Sequence, residues 1–253
     1  MKYPLYLLGI LLFQFNLNAQ SPHDYINYMT DPTHSKEVGE GEPIKEIREI
    51  DANFTEVIVG NGIQLFITPN QDENVKIVAQ KNLLPLISSE IDGDKLTVRL
   101  SASLETTKGI KLYVPINNIS KINIKEGGYL SYSNDVIVNH LELLIQSGAE
   151  ADTNINANNF SCMVMGGSVL NLEGKVSEKA DIFVKGGSVL KGKKFESTEC
   201  DMTVLGASKC KLKVTDMLNA RVENESRLVY SGKPNTVEKT VKLNGKIRSS
   251  FLF

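Results

Sequence analysis

Asp181 and Asp201 stand 20 residues apart, in a chain where that interval recurs. They belong to a polar series: Lys121, Glu142, Ser161, Asp181, Asp201, Asn219 and Glu238. If each interval is one structural repeat, neighbours in the series stack about 4.8 Å apart. Two carboxylates that close can divide acid and base roles, as in enzymes that cleave polysaccharides, provided that their surroundings drive their pKa values apart. At an exposed position their repulsion is only about 1 kcal/mol, and splaying the side chains relieves it. No third acid, Arg or Lys recurs beside the pair in the pattern. The series therefore reads as a solvated ladder, and no catalytic residue is assigned.

Other chemistry is sparse. His23, His34 and His140 are scattered without metal-ligand spacing, so no metal and no cofactor are expected. No Gly-x-Ser-x-Gly elbow occurs, and Gly60-Asn61-Gly62 lacks the helix that a nucleotide fingerprint needs. The Gly-Gly-Ser clusters could cradle an anion with backbone amides, but a structural role already accounts for them. Cys162, Cys200 and Cys210 are an odd set, which argues against a disulfide framework. They read as buried thiols, with Cys162 and Cys210 in inward columns.

The positioning elements follow from one repeat. A β-branched residue recurs at Ile124, Ile145, Val164, Val184, Val204, Val222 and Val241, in steps of 18 to 21 residues. Two residues earlier lie Ile122, Leu143, Cys162, Ile182, Met202, Ala220 and Lys239. Six residues later lie Leu130, Ala151, Leu170, Leu190, Cys210, Leu228 and Ile247. This is the period-2 alternation of strands with one buried face. Between the two strands falls a cluster of small residues: Glu126-Gly127-Gly128, Ser147-Gly148-Ala149, Gly166-Gly167-Ser168, Gly186-Gly187-Ser188, Gly206-Ala207-Ser208, Asn224-Glu225-Ser226 or Asn244-Gly245. Such residues suit a corner.

A 20-residue unit is too short for a propeller blade, and neither the leucine-rich consensus nor the Gly-Gly-x-Gly-x-Asp calcium repeat occurs. The predicted class is all-β, a right-handed parallel β-helix with about 20 residues per coil. The last coil, with Lys239 in an apolar column, reads as a polar cap.

Upstream, short strands are expected at Phe54–Val59, Ile63–Thr68, Val75–Ala79, Leu96–Leu100 and Ile110–Val114. The domain reading is a signal peptide over 1–19, a flexible polar arm over 20–45, an N-terminal β region over 46–120, and coils with a degenerate cap over 121–253. The leader combines Lys2, an apolar Leu5–Phe15 stretch and Ala19, and is too short to span a bilayer. Net charge is −2 and no basic patch stands out, so nucleic acid is not an expected partner.

The order of several motifs carries a resemblance. Phe54, Ile58-Val59, Gly62-Ile63-Gln64-Leu65 and Ile67-Thr68 come first. Asn82-Leu83-Leu84-Pro85, then Ile91, Gly93, Leu96 and Val98, come next. Val114-Pro115, Ile119 and Ile122 complete the N-terminal part, and Tyr230, Gly232 and Pro234 precede the final coil. Together they resemble the bacterial autotransporter-adhesin head domain, or GIN domain, across about residues 46–250. Two departures are the Asn224-Glu225-Ser226 corner, where the family favours Ser-Gly-Ser-Gly, and a leader without a lipobox. The resemblance implies a β-helix, an envelope location and no established enzymatic activity.

The expected function is a secreted, non-catalytic binding or structural module of the cell envelope, facing a protein or glycan partner. Self-association through a less capped N-terminal end is a further expectation. The alternative is a carbohydrate-active β-helix enzyme, which needs a cleft that tight coils leave little material to build. No membrane-spanning segment is expected in the mature chain.

Overall fold

The computed structural model describes residues 37–50, 53–68, 74–105, 109–115, 119–132 and 136–251. The expected leader and most of the expected polar arm, with His23 and His34, lie outside the described residues.

The repeat folds as read, and the corners show why. Each corner places two consecutive residues in the left-handed region: Ser147 and Gly148 at φ 58° and 74°, Gly186 and Gly187 at 74° and 75°, Asn224 and Glu225 at 54° and 62°. Gly and Asn adopt this backbone with least strain, and a side chain there costs about 1–2 kcal/mol. The chain thus turns sharply between two strand faces every coil.

Four long strands make the central coils: β13 (Glu150–Met165), β14 (Val169–Lys185), β15 (Val189–Leu205) and β16 (Lys209–Val222). They follow β12 (Val136–Gln146) and pair in parallel, one coil on the next. The register is the one the sequence gives by counting: Ile145 opposite Val164, Val164 opposite Val184, Val184 opposite Val204, and Val204 opposite Val222. Every member of that column is fully buried. Differences in coil length are absorbed by register shifts, such as those between Asn171 and Glu173 and between Val176 and Lys179.

The solenoid is longer than its sequence signature. β10 (Lys121–Ile124) and β11 (Tyr129–Tyr132) stack in parallel on β3 (Glu56–Val59) and β4 (Gln64–Thr68). These stack in turn on β7 (Lys95–Leu100) and β9 (Lys111–Pro115). Coils are therefore present before residue 121, where the boundary was expected, and Gly60-Asn61-Gly62 is one of the corners. The stacking order departs from chain order: the β7/β9 coil lies outside the β3/β4 coil, and the chain returns past it to β10. A fixed sequence period cannot register such a reversal.

The sheet also begins earlier than the expected start of folded structure at residue 46. β1 (Glu37–Val38) pairs with β8 (Leu104–Glu105), and β2 (Pro43–Arg48) runs antiparallel to β5 (Val75–Gln80). With β6 (Ile87–Asp92) antiparallel to β7, these strands overlay the N-terminal end of the stack. These strands extend that end, and Val38, Ile44, Ile47 and Ile91 on them are exposed. At the other end lie β17 (Arg227–Ser231), β18 (Thr236–Val241) and β19 (Lys246–Ser249). All of β18 is exposed, and the Lys239 ammonium sits 5.2 Å from the Tyr230 ring centre. This is the polar termination expected of a last coil.

The core is one continuous cluster along the stack, with Phe160 and Phe195 ring centres 6.0 Å apart. Cys162, Cys200 and Cys210 are all buried free thiols, and burial pushes each thiol pKa up. Cys200 joins the other two indoors, because it shares the inward parity of Met202 and Val204 on β15.

Candidate functional site

Strand parity puts alternate residues of β12 to β16 outdoors. The polar series lands in register as expected: Lys121 pairs with Glu142, Glu142 with Ser161, Ser161 with Asp181, Asp181 with Asp201, and Asp201 with Asn219. Asp181 and Asp201 are therefore adjacent rungs on one outer face.

A lysine joins them, which the repeat pattern did not reveal. Lys179 lies two residues before Asp181, on the same outward parity. Its Nζ is 2.6 Å from Asp201 and 3.3 Å from Asp181. The hydrogen bond to Asp201 is the main cause that raises the Lys179 pKa, with Asp181 adding to it. The two carboxylates share one ammonium, so their mutual repulsion is offset. Sequence reading missed Lys179 because it has no counterpart in every coil. Its only signal was its position on the outward face of one coil.

Beside the polar column runs an apolar one. Leu144, Met163 and Phe183 follow one another in register, and Thr203 and Arg221 continue the line. Met163 is 44% exposed although it lies within a sheet. The two columns line an open trough of about 490 Å³ that runs from Glu142 at one end, past Arg221, to Thr240 at the other. Arg221 is itself held to Glu223 at 2.9 Å. The expectation that tight coils offer no concave surface is corrected here. The lining residues of the hollow all lie on stacked strands rather than on inserted loops.

The trough can do two things chemically. Its Met163–Phe183 strip can bury apolar surface of a partner. Its Ser161, Thr203 and Asn219 side chains, with the Lys179-bound carboxylates, can exchange hydrogen bonds with hydroxyls or amides.

The remaining candidates separate. His140 is exposed on β12, and among the described residues no three His, Cys, Asp or Glu side chains are grouped to hold a metal. The corner amides are committed: Gly167 N–H donates to the Gly186 carbonyl at 2.9 Å, and Gly187 N–H to the Gly206 carbonyl at 2.8 Å. Corner stacking consumes the groups that an anion would need.

Comparison with known proteins agrees with this architecture. A "putative adhesin" from Bacteroides fragilis superposes with a TM-score of 0.77 at 17% identity, covering 84% of this chain and 99% of that one. A second "putative adhesin", from Parabacteroides distasonis, has a TM-score of 0.70 at 16% identity, over 85% of this chain and all of the other. A protein of the same species described as a "putative lipid binding protein" has a TM-score of 0.67 at 16% identity, again over 85% of this chain. At such identities the likeness is one of fold. No curated protein matches the chain. The family described as "putative auto-transporter adhesin, head GIN domain" matches residues 53–234, and the chain belongs to that family.

Proposed function

We propose that the chain is an exported, non-catalytic binding module of the cell envelope, adhesion-related, that engages a protein or glycan through its outer trough. The observation that carries this reading is the outward Met163–Phe183 strip, exposed at Met163 and half-buried at Phe183, set beside the polar column on the sheet. An exposed apolar strip rimmed by hydrogen-bonding groups is characteristic of a contact surface. The apolar leader over residues 1–19 and the family's adhesin description support an extracytoplasmic setting.

The test is binding of the purified chain to envelope fractions and to a glycan array, with Met163→Lys and Phe183→Ser compared with wild type. Loss of binding in both variants, with an unchanged circular dichroism spectrum, supports the reading. Undiminished binding overturns the assignment of the trough. Sequencing of the native protein should return Gln20 as its first residue, and Met1 would refute export by cleavage.

A second reading rests on Asp181 and Asp201 as adjacent carboxylates in the trough, the arrangement of a polysaccharide-cleaving pair. Their common tie to Lys179 counts against it, since a general acid needs a carboxyl held protonated.

A further inference from the structure

Another face of the same coils carries a pattern that neither the family nor the trough absorbs. In the corner-proximal part of β15, β16, β17 and β19, outward positions bring cations into register. Lys191 pairs with Lys211, Lys209 with Arg227, and Arg227 with Lys246, while Arg248 follows Val229 in the column of Lys211. Lys209, Lys211, Arg227, Lys246 and Arg248 line a groove of about 370 Å³ floored by Cys210, Leu228 and Val229. None of these cations, nor Lys191, has an ion-pair or hydrogen-bond partner among the described residues. The carboxylate nearest in sequence, Glu225, sits in the preceding corner and pairs with none of them.

Elsewhere on the coils several outward lysines meet a carboxylate in a neighbouring coil: Lys121 meets Glu142, Lys175 and Lys213 meet Glu196, and Lys194 meets Glu173. Unpaired like charges in register repel, and the fold gains nothing from them. An anionic ligand would supply the counter-charge that the chain itself does not. Stacking, not sequence clustering, creates the patch, so the expectation that no basic patch exists is corrected by the register.

We propose that this groove binds a linear anionic polysaccharide, one bearing a carboxylate or sulfate at regular intervals. This deepens the reading of the chain as a binding module, but on a different face from the trough. The cations form a lattice, about 4.8 Å between rungs and roughly 6.6 Å between columns along a strand. A regular two-column lattice suits a polymer with repeating charges rather than a single compact anion. No aromatic ring lines the groove, so it has no platform on which nucleobases stack. No apolar side chain projects above the cations, so it lacks the wedge that a lipid surface rewards. The alkyl stems of the lysines and the outward Val229 side chain can cover the apolar faces of sugar rings while the head groups meet the charges.

The test uses the intact chain on immobilised polygalacturonate, for carboxylate, and heparin, for sulfate, with dextran as the neutral control. Wild type should be retained on at least one anionic matrix at 0.15 M salt and pass through dextran, with retention falling steeply as salt rises. Lys209→Glu with Lys211→Glu and Arg227→Glu should weaken binding at least tenfold. The milder pair Lys211→Gln and Arg248→Gln should weaken it severalfold and guards against misfolding of the triple variant. Lys45→Glu with Lys81→Glu and Lys233→Glu makes the same change in net charge elsewhere and should leave binding within twofold. Met163→Lys should leave retention intact, which separates this groove from the trough. Equal loss in the Lys45, Lys81 and Lys233 control overturns the proposal. So does single-stranded DNA, or an anionic phospholipid vesicle, binding as tightly as either polysaccharide.

Discussion

The Ser188 hydroxyl accepts the backbone N–H of Ser168 at 3.2 Å and donates to the carbonyl of Lys185 at 2.8 Å. Both serines are fully buried, each directly behind a left-handed corner. Ser208 and Ser226 repeat the link two coils further on, again at 3.2 Å. A small hydroxyl thus satisfies backbone groups of two successive corners at once. Replacing it leaves a buried donor and acceptor unmet, at about 1–3 kcal/mol. Ser188→Ala should lower the midpoint of urea unfolding accordingly. A midpoint equal to that of wild type would show that the ladder contributes nothing.

The buried column should tolerate methyl loss far better than charge. Val184→Ala leaves a small cavity and is expected to cost about 1–3 kcal/mol. Val184→Asp buries an unpaired carboxylate and should cost roughly 3–5 kcal/mol or abolish folding. Thermal melts of the two variants check the order. A melting temperature unchanged in Val184→Asp would refute the stacked core.

Gly174 is required by space as well as by φ. It sits at φ 106°, and a Cβ there would lie 2.1 Å from the Ile155 carbonyl oxygen. Gly187, at φ 75°, has open space where its Cβ would go. Gly174→Ala should therefore cost about 3 kcal/mol or more, and Gly187→Ala only about 1 kcal/mol. The reverse ranking in denaturant melts would contradict this coil geometry.

Acid stability should depend on Glu196. Its carboxylate lies 2.6 Å from Lys213 and 3.3 Å from Lys175, and the Lys213 hydrogen bond is the main cause that lowers its pKa. A carboxyl whose folded pKa lies below its unfolded value binds fewer protons when native. Its stabilising contribution is fully present above the ordinary value of 4.5 and is lost as pH falls through the lower folded pKa. Glu196→Gln should thus flatten the decline in stability below pH 4.5 while lowering stability modestly at neutral pH. A variant whose pH profile runs parallel to wild type would refute this contribution.

The paired aspartates should matter little to chemistry. Asp181→Asn with Asp201→Asn removes the tie to Lys179, and exposed ion pairs contribute about 0–1 kcal/mol. A panel of polysaccharide substrates should show no turnover by wild type or variant. Turnover by wild type that vanishes in the variant would establish the carbohydrate-active enzyme in place of the binding module.

The sequence by itself determined what is periodic. Spacing alone placed Ile145, Val164, Val184, Val204 and Val222 in one buried column and Asp181 beside Asp201, because a stacked coil turns equal sequence intervals into equal positions. It also located the corners, since the recurring clusters of Gly, Ser and Asn fall at or directly beside the left-handed residues. Tertiary structure decided what breaks the period. The β7/β9 coil lies outside the β3/β4 coil because long-range pairing, not chain order, chose its neighbours. Lys179 meets two aspartates because it shares their parity in a single coil. The six cations from Lys191 to Arg248 form a patch only once their strands are in register. They are spread over 58 residues of sequence and look unremarkable there. The trough likewise gathers Glu142, Met163, Phe183 and Arg221 from successive strands, which meet only once the coils are stacked.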